Sequence, residues 1–198
     1  MRKLVAASAA LCILTTVASS QVSKNATLLG TFRPTNGRTN DVWGFDAPNG
    51  KPYCVLCTTA GTYILDVSNP RAPRQTGYFS ASLAGWAASE WRDAKYWKGY
   101  VYVVSEARPG GVQIIDCRNP DAPRHVGRYK PSSVNWNNTH NVALDFKTGY
   151  LYCCGTSGGM HILDANTTPG QLRYVANWRR PYIHDLDIRD GYAHFSYI

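Results

Sequence analysis

Gly61-Thr-Tyr-Ile-Leu-Asp66 returns as Gly111-Val-Gln-Ile-Ile-Asp116 and again as Gly159-Met-His-Ile-Leu-Asp164. The closing aspartates are 50 and 48 residues apart. The first two copies continue alike. Asp66-Val-Ser-Asn-Pro-Arg-Ala-Pro73 parallels Asp116-Cys-Arg-Asn-Pro-Asp-Ala-Pro123, and each reaches a glycine, Gly77 or Gly127, four residues later. The third departs: Asp164-Ala-Asn-Thr-Thr-Pro169 places its proline one residue further on. Self-similarity at a fixed period of this size marks a repeat architecture.

Two more elements lie upstream of each copy. Gly99-Tyr-Val-Tyr102, Gly149-Tyr-Leu-Tyr152 and Gly191-Tyr-Ala-His194 align, with Gly50-Lys-Pro-Tyr53 as a looser first copy. Before them stand Asn40-Asp41-Val42, Arg92-Asp93-Ala94, His140-Asn141-Val142 and His184-Asp185-Leu186. Each unit therefore reads as short strands in series: one after the Asp/Asn column, one after a glycine turn, one ending at the repeated aspartate, and a fourth after the proline loop. Proline is tolerated there because it lies between strands. Four short strands per unit predict a propeller blade; a β-sandwich with accidental similarity is the alternative. The fold class expected is all-β, a β-propeller-like array of four-stranded blades, incomplete, with three blades plus part of a fourth. The units run over about 39-79, 90-129, 139-178 and 183-198, after a lead-in at 21-38. A propeller needs at least four blades to close, so the chain reads as an N-terminal fragment, or as one that closes by oligomerisation.

The first twenty residues differ from the rest. Arg2 and Lys3 precede an apolar run, Leu4 to Val17, and small residues follow at Ala18-Ser19-Ser20. That layout predicts a secretory signal peptide over 1-20. No later segment is long and apolar enough to span a bilayer. Export places the mature chain outside the cell, on its surface or in a periplasm. The formal charge of +8 falls to +6 once Arg2 and Lys3 leave, and the remaining cations are scattered. No basic stripe or recognised module points to nucleic acid, whereas weak attraction to acidic polymers or surfaces fits the excess. Cleavage would leave Cys54, Cys57, Cys117, Cys153 and Cys154, an odd count.

These motifs resemble the LVIVD-repeat family, and within it the choice-of-anchor B proteins. The carrying residues are the Gly-x-x-Ile-Leu-Asp66-Val-Ser-Asn-Pro-x-x-Pro73 repeat, Trp91-Arg92-Asp93, Tyr102-Val-Val-Ser-Glu106, His140-Asn141 and His184-Asp185. The resemblance runs from about Thr39 to the end. It implies a secreted or cell-surface β-propeller without a settled activity, and a C-terminal sorting signal of variable type.

Equivalent positions of a propeller converge on one axis. Asp41, Asp93, Asn141 and Asp185, with Arg92, His140, His184 and Asp187 beside them, are therefore the channel or ligand candidates. Carboxylate and imidazole groups meeting there suit a divalent metal, on His140, His184 and Asp185 if on any, or acid–base chemistry. The plainer role is to cap turns and satisfy backbone amides. No resident cofactor is predicted beyond that divalent metal, and no catalytic residue is assigned. Asp66, Asp116 and Asp164 end strands and read as structural Asx-type turns.

Cys54-x-x-Cys57 lies in a strand, without the helix of a redox motif or the second pair of a zinc site. It reads as buried packing, as does Cys153-Cys154; a Cys54–Cys153 bridge stays open. Trp43, Trp86, Trp91, Trp97, Trp136 and Trp178 suit either a sugar-stacking platform or packing between blades. Phosphate-loop, nucleophile-elbow, dinucleotide and zinc-protease motifs are missing. The reading is a non-catalytic binding module for carbohydrate or protein at the cell surface; the alternative is a metal-assisted hydrolase or oxidoreductase with its site in the channel.

Overall fold

The structure is a computed structural model describing residues 25–179 and 182–197. The signal peptide expected at 1-20, with Cys12, lies outside the described residues. Blade 1 is built from β1 (Thr39–Asp46), β2 (Pro52–Thr58), β3 (Gly61–Asp66) and β4 (Arg74–Ser80). A 3₁₀ turn, Ala81–Ala84, follows. Blade 2 is β5 (Arg92–Trp97), β6 (Tyr100–Ser105), β7 (Val112–Asp116) and β8 (Arg124–Tyr129). Blade 3 is β9 (Asn141–Asp145), β10 (Tyr150–Cys154), β11 (Met160–Asp164) and β12 (Arg173–Trp178). A two-stranded sheet, β13 (Ile183–Arg189) and β14 (Tyr192–Tyr197), completes the described part. Every sheet is antiparallel with strands in sequence order. The result is an all-β array of three four-stranded blades and part of a fourth, and no closed ring forms among the described residues.

The third strands of blades 1 and 2 have no exposed side. Blade 2 lies between two others and the lead-in covers the middle of blade 1, so both faces of their middle strands are buried and alternation disappears. All residues of β3 and β7 are buried, whereas the outer strand β8 exposes Arg124 and Val126. Ile64 and Cys57 of blade 1 meet Ala94, Val103 and Ile115 of blade 2 in one core. On the opposite face of blade 2, Val104 and Ile114 meet Val142, Leu151 and Leu163 of blade 3 in a second core. A third core joins Cys154 and Met160 to Ile183 and Leu186. Each fully buried aliphatic side chain contributes about 1.5–3 kcal/mol, so the blades hold together mainly through these cores.

The repeat is kept even in its irregularities. The third and fourth strands of all three blades slip register at the same place, leaving Thr76, Val126 and Val175 as the extra residue of a bulge. Gly77 beside the first bulge has a packing reason: a Cβ there would stand 2.6 Å from Pro123 of the next blade. The lead-in covers the free face of blade 1. Phe32 packs edge-on against Tyr63 at 5.6 Å, and the Asn36 amide donates to the Tyr63 hydroxyl at 2.8 Å.

Five cysteines are described, and all are free thiols. Cys54 and Cys153 are both among them, so the Cys54–Cys153 bridge does not form. Cys54 departs from the expected buried packing and is only part-buried, because its side of β2 is the free side of blade 1. No helix among the described residues is long and apolar enough to cross a membrane.

Candidate functional site

The first strand of each unit packs on the next: β1 on β5, β5 on β9 and β9 on β13. They are the innermost strands, and they carry the Asp/Asn column. Most of that column is committed to backbone. Asp93 Oδ2 accepts from the Val142 amide at 2.8 Å, so a blade 2 side chain grips blade 3. Its Oδ1 accepts from the Ala94 amide and from Lys95 Nζ, both at 2.6 Å. Asn141 Nδ2 donates to the His184 carbonyl at 3.1 Å, repeating the grip one blade on. Asp185 Oδ1 accepts from the Leu186 amide at 2.8 Å. Asp41 Oδ2 is buried without a partner among the described residues. Burial pushes the Asp93 carboxyl up to about 6; Lys95 opposes the rise and the nearby Asp41 charge adds to it. Asp187 is exposed, with Arg189 3.6 Å away.

The histidines do come together. The His140 and His184 rings lie 4.4 Å apart between centroids. His140 Nδ1 is 2.6 Å from Glu106 Oε1. Trp91 flanks His140 at 5.5 Å, and Tyr182 flanks His184 at 6.5 Å. Glu106 was legible only as the last residue of Tyr102-Val-Val-Ser-Glu106. Nothing in its spacing aims it at a histidine 34 residues away. Among the described residues, no group of three or more His, Cys, Asp or Glu side chains is arranged to hold a metal ion. His140, His184 and Asp185 therefore do not form a ready ligand set. What the cluster offers is an imidazole pair oriented by a carboxylate between two aromatic walls.

Arg92 takes a different place from the one its sequence position suggested. It is 3% exposed, with its guanidinium carbon 5.3 Å from the Trp86 ring. It shares a strand face with Ala94 of the blade 1–blade 2 core, because alternate residues of a strand face the same way. None of its three side-chain nitrogens has a hydrogen-bond partner among the described residues. The six tryptophans likewise form no common platform. Trp86 and Trp136 are buried, and Trp136 stacks on His161 at 4.5 Å. Trp178 packs against Phe195. Trp43 and Trp97 meet around Phe146, with Lys95 over the Trp43 ring. Trp91 is the one that is more than half exposed.

The turn aspartates make local bonds. Asp66 Oδ1 accepts from the Ser68 amide at 2.9 Å, Asp116 Oδ1 from the Arg118 amide at 3.0 Å, and Asp164 Oδ1 from the Asn166 amide at 2.8 Å. Arg74 also links Asp66 to Asp121 of the next blade at 3.0 and 2.8 Å. Hydrogen bonds from Ser68, helped by Arg74, hold the Asp66 carboxyl down at about 2. No family model matches the chain, and no curated protein matches it.

Proposed function

We propose that the chain is a non-catalytic binding module, exported to the cell surface or the space outside the cell. The blades are the scaffold and the connecting loops are the recognition surface. One observation carries this reading: Asp93 and Asn141 of the central column already spend side-chain hydrogen bonds on the neighbouring blade. A polar group engaged in that way holds blades together and is not free to do chemistry. The leader-like residues 1-20 and the resemblance to LVIVD-repeat, choice-of-anchor B proteins support export and surface display. Carbohydrate or protein at the cell surface is the partner class.

A second reading, a metal-assisted hydrolase or oxidoreductase, is favoured by the contact of Glu106, His140 and His184. Metal analysis of the purified chain, with His184→Ala alongside, separates the two. The binding-module reading expects no stoichiometric metal, and unchanged thermal stability and ligand binding in the variant. Stoichiometric metal that is lost with His184 overturns it.

A further inference from the structure

An open polar cleft of about 770 Å³ lies beside blade 3. Its volume is in the range of small-molecule sites. One wall is the segment before β9, with Ser133 and Asn135; another is the β10–β11 turn, with Ser157, Gly158 and Gly159. Tyr174 and Asn177 on β12 and Arg179 just after it add to the lining.

Three observations point to a ligand. First, Asn177 Nδ2 donates to the Gly158 carbonyl at 2.8 Å, while Asn177 Oδ1 is buried with no partner among the described residues. Gly159 leaves that oxygen room: a Cβ there would come within 2.7 Å of it, and φ is +99°. Second, His161 is fully buried and its Nε2 has no partner among the described residues. It lies 3.8 Å from where a side chain at Gly158 would begin, directly behind the cleft wall. Its Nδ1 is engaged by the Tyr174 hydroxyl at 3.0 Å, so one hydrogen-bonding position remains. Burial, reinforced by Lys130, holds His161 down at about 4, which keeps the imidazole neutral at neutral pH. Third, the lining contains no acidic residue, and among the described residues neither Arg179 nor Lys130 forms an ion pair.

Hydroxyls and amides at this density match a polyhydroxylated ligand. An unpaired guanidinium at the rim matches a carboxylate, which arginine grips in bidentate fashion. Val134 is the one aliphatic branched side chain of the lining, too little to seat peptide side chains. We infer that this cleft binds a carboxylated sugar unit, with Arg179 on the carboxylate and Asn135 and Ser157 on the ring hydroxyls. The inference rests on the binding-module reading and names its site and ligand class.

The test is calorimetric titration of the full chain with a uronic-acid trisaccharide, the neutral trisaccharide of the same linkage, and a glutamate-rich peptide. Saturable binding of the uronate is expected, at least tenfold weaker for the neutral sugar and for Arg179→Gln. Arg179 is exposed, so this variant keeps the fold, and a thermal melt verifies it. Gly158→Val, which adds bulk between Asn135 and His161 at the cleft wall, weakens uronate binding equally. Equal affinity for the two sugars, unchanged affinity in both variants, or tighter binding of the peptide overturns the inference. Chromatography of the titrated sugar keeps the two readings apart: cleaved product sinks the non-catalytic reading while leaving the cleft as the binding site.

Discussion

The Asp93 carboxylate and the Val142 amide are joined at 2.8 Å across the boundary between blades 2 and 3. The same carboxylate also takes the Ala94 amide of its own strand, so one side chain satisfies two backbone donors. Removing it leaves the buried Val142 amide unpaired. Asp93→Ala is expected to cost about 1–3 kcal/mol, read from urea denaturation midpoints. Asp41→Ala removes a carboxylate whose Oδ2 has no partner and costs less. Equal losses at the two positions would contradict the inter-blade grip.

Asp93 also carries a pH signature. Its folded pKa, about 6, lies above the ordinary 3.8 because burial outweighs Lys95. A carboxyl raised in this way contributes stability that is fully present below its unfolded pKa and lost as pH rises through the folded one. Stability should therefore fall between about pH 4 and about pH 7 by an increment that Asp93→Asn removes. Denaturation midpoints of both proteins across that range measure it; parallel curves would count against it.

The tryptophans divide by burial. Trp136 is fully buried, donates to Thr139 Oγ1 at 2.7 Å and stacks on His161. Trp136→Ala should destabilise by about 3–5 kcal/mol. Trp91→Ala, at a position 53% exposed, should stay within about 0.5 kcal/mol. Chemical denaturation of the two variants decides between packing and a shared surface role.

Arg92 is a buried cation without a hydrogen-bond acceptor among the described residues. Burying such a charge is costly, and an apolar side chain of similar length removes the cost. Arg92→Met is expected to raise stability by about 1 kcal/mol or more, read from the thermal midpoint. A lower midpoint would mean that the guanidinium has an acceptor in solution.

Among the five described thiols, Cys54 alone is part-buried. Burial, with the Asp41 charge, pushes its pKa up to about 11, so its alkylation should be slow at neutral pH and speed up as pH rises. Mass spectrometry after native alkylation should find Cys54 modified before Cys57, Cys117, Cys153 or Cys154. Earlier modification of Cys57 would mean that blades 1 and 2 separate readily.

Most of the fold was legible because repetition multiplies weak local signals. Glycine turns, the repeated aspartates and the Asn-Pro loops each mark a chain reversal on their own, and three copies in step placed twelve strands. Local sequence also determined what Asp66, Asp116 and Asp164 do, since an aspartate ending a strand finds its partner two residues on. The column could be aligned from sequence, but its use could not. Whether Asp93 faces a ligand or the Val142 amide depends on how far one blade is rotated against the next, and that rotation is set by the packing of the cores. The same packing turned Arg92 and Trp136 inward, and it brought Glu106 to His140. It also left Asn177 and His161 each with an unused hydrogen-bonding atom beside a polar cleft. Sequence alone determined the repeat and its strands; only tertiary structure decided which polar groups hold the blades together and which remain for a ligand, because a strand's alternation offers two faces and the neighbouring blade chooses between them.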